Sequence, residues 1–318
     1  MRKLAIRFFN DVPVVILTVI ESIIIFAATM VAKLAFTQIA PLPAAWWRVG
    51  FALLLLWVWR KPWKKFTEVL PTHARGWLWL AALGISSVFM NTTFYMAIGT
   101  LNVGVAVAIE FIGPLAVAVM TGRHWREYVG IIIAVCGIVT LSWSSFASQN
   151  RTSLAGLAAI LISGVLWGTY IISGRRIALG GRPLDSMTIA LTIGFAAQSV
   201  FLMLPGINGV IHPQPSATWL RQPWGPPALI ALMFCVALCA SFLPYIFDLF
   251  IMRRTLPSKF SVMQSISPAV ATVIGLFFGE VPTIVDTVGI GLIIVAVFIT
   301  FSSDERAAGE AGAKGVQL

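Results

Sequence analysis

Charge is what this sequence has least of. Asp, Glu, Lys and Arg make up 11% of its 318 residues, under half the roughly 25% of an ordinary soluble domain, while 58% of the residues are hydrophobic. Those two fractions exclude a soluble globular fold, because too few polar side chains exist to cover its surface. Cysteine is nearly absent too. Cys136, Cys235 and Cys239 all fall in apolar stretches, so they form neither a disulfide framework nor a paired metal motif with histidine, and they read as packing residues. His73, His124 and His212 lie in connections and build no metal site. The His-Glu-x-x-His, Gly-x-Ser-x-Gly, phosphate-loop and Asp-Asp-x-x-Asp patterns are missing, which removes the common hydrolase and magnesium-diphosphate chemistries and leaves no expected cofactor.

What the chain does have is long apolar runs. A helix crosses the hydrocarbon core with about 20 residues. Stretches bounded by charge, proline or glycine lie near 12–33, 42–59, 76–98, 103–121, 126–146, 153–173, 184–204, 227–250, 259–279 and 283–301, which predicts ten spans. Only the Gly99-Thr100-Leu101-Asn102 and Glu280-Val281-Pro282 turns keep neighbouring spans from merging. The first run follows Arg2, Lys3 and Arg7 as a signal peptide would, but it is about 20 residues long and lacks a small-x-small cleavage site, so it reads as a retained helix.

The basic excess, with a formal net charge of +10, does not point to nucleic acid, because the basic residues are not gathered on one face or arm. They alternate instead. Eighteen of the 22 Lys and Arg fall on the N-terminal side of the ten-span topology: Arg2, Lys3, Arg7; Arg60, Lys61, Lys64, Lys65, Arg75; Arg123, Arg126; Arg175, Arg176, Arg182; Arg253, Arg254, Lys259; and Arg306, Lys314. Lys33, Arg151 and Arg221 fall opposite, and Arg48 lies within a span. Cytoplasmic loops retain positive charge, so both termini are expected in the cytoplasm.

The chain also resembles itself. Glu110-Phe-Ile-Gly-Pro114-Leu-Ala-Val-Ala-Val aligns with Gln264-Ser-Ile-Ser-Pro268-Ala-Val-Ala-Thr-Val, and Gly130-Ile-Ile-Ile-Ala-Val with Gly289-Ile-Gly-Leu-Ile-Ile. The fourth span thus matches the ninth, and the fifth the tenth. Five spans per half is an odd number, so the second half enters the membrane upside down relative to the first. The expected fold is an all-α integral membrane protein of ten helices: a five-helix repeat over 1–146, its inverted copy over 153–301, and a disordered cytoplasmic tail over 302–318.

An ionisable side chain at mid-bilayer costs about 2.5–3.5 kcal/mol on insertion scales, so each one inside a span needs a reason. Glu110 precedes Pro114 by four residues; proline has no N–H to give the carbonyl four residues back, so Glu110 offers a carboxyl and a freed carbonyl at one depth. Function is one account, and a kink with the carboxyl bonded to a serine is the other. Gln264 stands in the same relation to Pro268. Thr18, Glu21, Ser22 and Thr29 share one helical face, as do Ser87, Asn91 and Tyr95. Arg48 lies at about the depth of Asn91 and Glu110, where it either pairs with Glu110 or Glu21 or holds a substrate carboxylate. Trp167, Thr169 and Tyr170, then Ser241, Tyr245 and Asp248, then Ser258, Ser261 and Ser265 supply the later spans. Asp248, five residues before Arg253, reads as half of an interfacial pair. Thr283 and Asp286 read as cap and first-turn acid of the last span, and Glu280 as a turn residue.

The stretch Val103-Gly-Val-Ala-Val-Ala-Ile-Glu110-Phe-Ile-Gly-Pro114-Leu-Ala-Val-Ala resembles the EamA-type branch of the drug/metabolite transporter superfamily, and within it the threonine and homoserine exporters of the bacterial inner membrane. Trp167-Gly-Thr-Tyr170 with Arg175 resembles the Trp-rich start of each repeat in that family, and Gly279-Glu280 followed by Gly289 its closing helix pair; Phe26-Ala-Ala28 departs from the tryptophan motif of the first repeat. The resemblance implies ten helices in two inverted repeats around a cavity lined by the Glu-containing fourth helix. It implies an exporter of a small zwitterion such as threonine or homoserine, driven by protons, in the bacterial plasma membrane. Glu110 would titrate or bind the ammonium, Arg48 would face the carboxylate, and Asn91 and Tyr95 would orient the solute. For an exporter of amines or nucleobases, Trp167, Tyr170 and Tyr245 would matter more than Arg48. A membrane enzyme acting on a lipid-linked substrate is the alternative of another class. Oligomeric state has no signature in the sequence.

Overall fold

The computed structural model describes residues 12–37, 39–121, 151–202, 226–264, 266–280 and 282–292, with scattered positions in 129–140 and 294–299. The first eleven residues, the 302–318 tail, Ser265, and most of the expected fifth span and of the 205–227 connection lie outside these. Among the described residues every regular element is a helix: α1 Val14–Leu34, α2 Pro41–Arg60, α3 Ala74–Ile98, α4 Val103–Glu110, α5 Ile112–Thr121, α6 Arg151–Ala178, α7 Pro183–Leu202, α8 Pro226–Ala237, α9 Leu243–Arg254, α10 Pro257–Met263 and α11 Ile266–Phe277. Counting α4 with α5, and α8 with α9, seven are long and apolar enough to cross a membrane; Ile266–Phe277 and Ile284–Ala296 are shorter apolar helices. The chain is a multi-pass membrane protein.

Proline sets many of these boundaries. Pro41, Pro183, Pro226 and Pro257 each open a helix, where the missing N–H costs nothing. Pro114 and Pro268 instead lie inside expected spans, and the helix is interrupted three and four residues before them, at Phe111 and at Gln264. Pro244 opens α9 directly after a wider π-helical turn, Leu238–Phe242, that joins it to α8. Thr283 and Asp286 form the expected cap: the Thr283 N–H donates to Asp286 Oδ2 at 3.0 Å, and the Asp286 N–H to Thr283 Oγ1 at 3.1 Å.

Glycine sets the packing. α3 runs between α6 and α7. A Cβ on Gly84 of α3 would stand 1.7 Å from the Ala190 carbonyl oxygen of α7, and one on Gly194 would stand 2.1 Å from the Gly84 oxygen. A Cβ on Gly113 of α5 would likewise meet the Gly164 oxygen of α6 at 1.8 Å. Close backbone approach through small residues is how membrane helices gain contact where lipid removes the hydrophobic incentive. Large apolar side chains such as Leu54, Val58, Leu78, Val165 and Val200 point outward, as a lipid-facing surface requires. Cys136 and Cys235 are exposed, so the expectation that they are packing residues is corrected, while the half-buried Cys239 packs against an apolar cluster as expected. In lipid a thiol faces outward at little cost because it behaves as a small hydrophobe.

Short connections gather the helix ends into two layers. At one, Lys33 Nζ donates to Glu280 Oε1 at 2.5 Å and to the Leu101 carbonyl at 2.8 Å, and Glu280 Oε2 accepts the Val103 N–H at 2.8 Å. Glu280 is therefore more than a turn residue: it caps α4 and pairs with the end of α1. At the other layer Arg60 bonds Asp185 through two nitrogens at 2.8 and 3.2 Å, and Arg182 pairs with Glu68.

Gly84→Leu is expected to cost more than the 1–3 kcal/mol or so typical of overpacking, since the obstacle is backbone. The check is thermal unfolding of detergent-purified protein by size exclusion, with Gly181→Ala, which has nothing within 4 Å, unfolding like the wild type.

Candidate functional site

Two apolar clusters fill the bundle, and along the helices the switch from one to the other falls at polar residues. In α1 the clusters hold Leu17 and Phe26, on either side of Glu21 and Ser22; in α2 they hold Ala45 and Val49, around Arg48. In α3 they hold Val88 and Phe94, around Asn91, and in α6 Ile160 and Tyr170, around Ser163. A polar layer thus crosses the middle of the protein between two dry halves.

Arg48 is 5% exposed. Its Nε donates to Ser241 Oγ at 2.7 Å, and Nη2 donates to the Ala240 carbonyl. That carbonyl is available because Pro244, four residues on, has no N–H to return to it. The π-helical turn around Ala240 is a distortion frequent at functional sites. The guanidinium lies over the Tyr95 ring, 5.0 Å from its centroid, a cation–π arrangement. The Tyr95 hydroxyl adjoins it without making a hydrogen bond. Among the described residues no carboxylate lies within ion-pair distance of Arg48. The pairing of Arg48 with Glu110 or Glu21 is therefore not made.

Asn91 Nδ2 donates to the Ser87 carbonyl at 2.8 Å and to Tyr245 Oη at 3.2 Å, and Ser87 Oγ donates to the same phenol at 3.2 Å. Both bonds on Tyr245 come from α3, so Asn91 is spent on fixing the phenol. Glu110, 7% exposed, bonds through Oε1 to Ser163 Oγ, which also lies 2.9 Å from the Met90 carbonyl. The Ser163 hydroxyl thus stands between the carboxyl and a backbone carbonyl, with one proton for the two. The Glu110 carbonyl, freed by Pro114, faces Gly164, where a Cβ would stand 2.9 Å away. The serine-bonded carboxyl and the freed carbonyl are thus present together.

The second gathering joins α1, α6, α9 and α10–α11. Asp248 accepts the Tyr170 hydroxyl at 2.8 Å and Gln264 Nε2 at 3.3 Å. Ser267 Oγ donates to Gln264 Oε1 at 3.1 Å and lies 3.2 Å from Ser22 Oγ. The Gln264 carbonyl, freed by Pro268, accepts the Ser267 N–H at 2.9 Å. Glu21 is 2% exposed and faces the Asp248 carboxyl within hydrogen-bonding reach. An interfacial pair of Asp248 with Arg253 is corrected: Asp248 turns into the bundle, and Arg253 is exposed. Trp167 is half-buried, edge-on to Phe111 at 6.1 Å, and Thr169 is exposed, its hydroxyl bonded to the Val165 carbonyl. Ser258 is half-buried and Ser261 buried without a partner. Pro244 as the source of a carbonyl for Arg48, and Ser163 as the partner of Glu110, were missed in the sequence. The Pro114 argument applied to Pro244 would have found the first; nothing local marks the second.

Ser241→Ala is expected to lower stability by about 1.5–3 kcal/mol, the value of a hydrogen bond to a charged group. Combining it with Arg48→Met should recover part of that loss in thermal unfolding, since no buried cation then lacks its acceptor.

Residues 154–302 match the EamA-like transporter family. Over 288 residues and 89% of each chain, the sequence is 31% identical to the threonine/homoserine exporter RhtA of Escherichia coli (strain K12) and 29% identical to that of Salmonella typhimurium (strain SL1344). An uncharacterized transporter of Archaeoglobus fulgidus is 24% identical over 252 residues, 78% of this chain and 82% of its own. A solved crystal structure superposes with a TM-score of 0.60 over 90% of this chain and 96% of that one, at 14% identity, which is a likeness of fold.

Proposed function

Since the chain belongs to the EamA-like transporter family, we propose that this membrane transporter is a secondary active exporter of small amino acids resembling threonine or homoserine, coupled to protons. In this reading ten spans form two inverted five-helix repeats, 1–146 and 153–301, in a bacterial inner membrane, with both termini and the 302–318 tail in the cytoplasm. The layer holding Lys33 and Glu280 then faces outward, and the one holding Arg60 and Asp185 faces the cytoplasm.

One observation carries the substrate class. Arg48 is a buried cation bonded only to a hydroxyl and a carbonyl among the described residues, and Glu110 is a buried carboxyl of the same polar layer that is bonded to Ser163 instead. A buried charge lacking its counter-ion is costly, and a ligand that supplies it lowers that cost. A zwitterion supplies both signs at once: its carboxylate meets the guanidinium over Tyr95, and its ammonium meets Glu110. Asn91 is a positioning residue that holds Tyr245. Trp167 and Tyr170 border the layer from α6, and Gln264 from the break between α10 and α11. The threonine/homoserine exporters that share 29–31% of the sequence carry names that fit this charge arrangement.

The test is counterflow in proteoliposomes loaded with unlabelled threonine. Labelled threonine should enter only when the solute is loaded. Arg48→Gln should raise the half-saturating concentration about 10–100-fold, the loss of one charged contact. Activity with amines or nucleobases but not amino acids would overturn the substrate class and keep the transporter.

A further inference from the structure

We propose that Glu21 and Asp248 form a shared-proton site that couples transport to the proton gradient, a proposal that rests on the exporter reading and leaves Glu110 to the substrate ammonium. Glu21 sits in α1 and Asp248 in α9, 227 positions later. Glu21 is 2% exposed, yet among the described residues neither of its carboxyl oxygens receives any N–H or O–H donor. What it faces is the Asp248 carboxyl, within hydrogen-bonding reach.

The hydrogen bonds around the pair say where the proton sits. Asp248 accepts on both oxygens, from the Tyr170 hydroxyl at Oδ2 and from the Gln264 amide at Oδ1. The Gln264 amide cannot be turned round, because its oxygen already accepts from Ser267 Oγ. Asp248 is thus supplied as an anion is supplied, and Glu21 is not supplied at all. Two ionised carboxylates in contact would repel at short range with no cation between them. One proton on Glu21, donated to Asp248, joins the two carboxyls by a hydrogen bond and removes the repulsion, and the pair then titrates as a unit.

The charged and titratable surroundings leave that proton without competition. Tyr170 donates its hydroxyl to Asp248, and the Tyr245 hydroxyl accepts from Ser87 and Asn91. Arg48 is held by Ser241 and the Ala240 carbonyl. Arg175 donates to the Met252 carbonyl and Arg254 to the Val12 carbonyl. Among the described residues none lies within ion-pair distance of either carboxyl. α11, packed on α1 beside Ser22, carries no ionisable side chain.

The coupling step follows. The proton leaves from the Glu21–Asp248 bond to water and leaves two like charges. Those charges drive α1 from α9 until a new proton arrives from the other side. Because the two carboxyls belong to opposite halves of the chain, protonation state and the relative position of the halves are linked.

The experiment reads the site without transport first. Infrared difference spectra of the purified protein across a pH titration should show a protonated-carboxyl band that Glu21→Gln and Asp248→Asn each abolish. Glu110→Gln should leave it in place. That same band surviving both dyad variants, or separate bands lost singly, would overturn the shared proton whatever the transport results; a band lost only with Glu110→Gln belongs to Glu110. In proteoliposomes each dyad variant should flatten the pH-gradient response of threonine uptake, the double variant no further than either single one, and Glu21→Asp should restore part of it. If Glu110→Gln alone flattens the response while the dyad variants keep it, the coupling role is overturned though the exporter stands. Absence of amino-acid uptake in the wild type would defeat the exporter reading, and the infrared bands would still decide the shared proton.

Discussion

A backbone carbonyl released inside a bilayer has to find a partner within the protein, because lipid offers none. Three prolines create that need at the level where the bundle is polar. Pro114 releases the carbonyl of Glu110, which turns to the bare face of Gly164. Pro244 releases that of Ala240, which draws in the Arg48 guanidinium. Pro268 releases that of Gln264, which closes on the Ser267 N–H. The polar layer exists where it does because these carbonyls sit there, and the charged side chains gather around the breaks.

The three solutions differ in what they leave over. At Gln264 the backbone satisfies itself, so the side chain is free to reach Asp248. At Ala240 the partner is a full positive charge, whose remaining donors have no carboxylate within ion-pair distance among the described residues. At Glu110 a glycine stands where a side chain would have blocked the carbonyl, and the carboxyl is left to share the one proton of Ser163 with Met90. Similar breaks thus yield an acceptor site, a donor site and a titratable pair side by side. This is the chemistry on which the proposed zwitterionic substrate rests.

Much of the architecture was legible in the sequence because its causes are local. Apolar runs between charge and proline placed α1, α2, α3 and α7 within about two residues of their observed ends, and the proline rule located the breaks near Glu110 and Gln264. Burial of Glu21, Ser22, Asn91 and Tyr95 followed from helical spacing alone. What spacing could not show is which helix each polar face meets. Ser163 reaches Glu110 across 53 positions, Ser241 reaches Arg48 across 193, and Tyr170 reaches Asp248 across 78. Asp248 was read toward Arg253 because that was its nearest charge along the chain; tertiary packing turned it inward. Likewise Cys136 and Cys235 were read as packing residues on apolar context, a rule from soluble proteins that reverses where the outside is oil.

Glu280 ties Lys33 and the first N–H of α4 with a single carboxylate, one oxygen to each. Lys33 holds a second bond to the Leu101 carbonyl, so the end of α1 stays tied to the turn before α4 even without that carboxylate. Among the described residues the first N–H of α4 has no such reserve. Loss of Glu280 would thus leave α1 moored and the start of α4 uncapped, an unequal burden on two helices joined by one side chain.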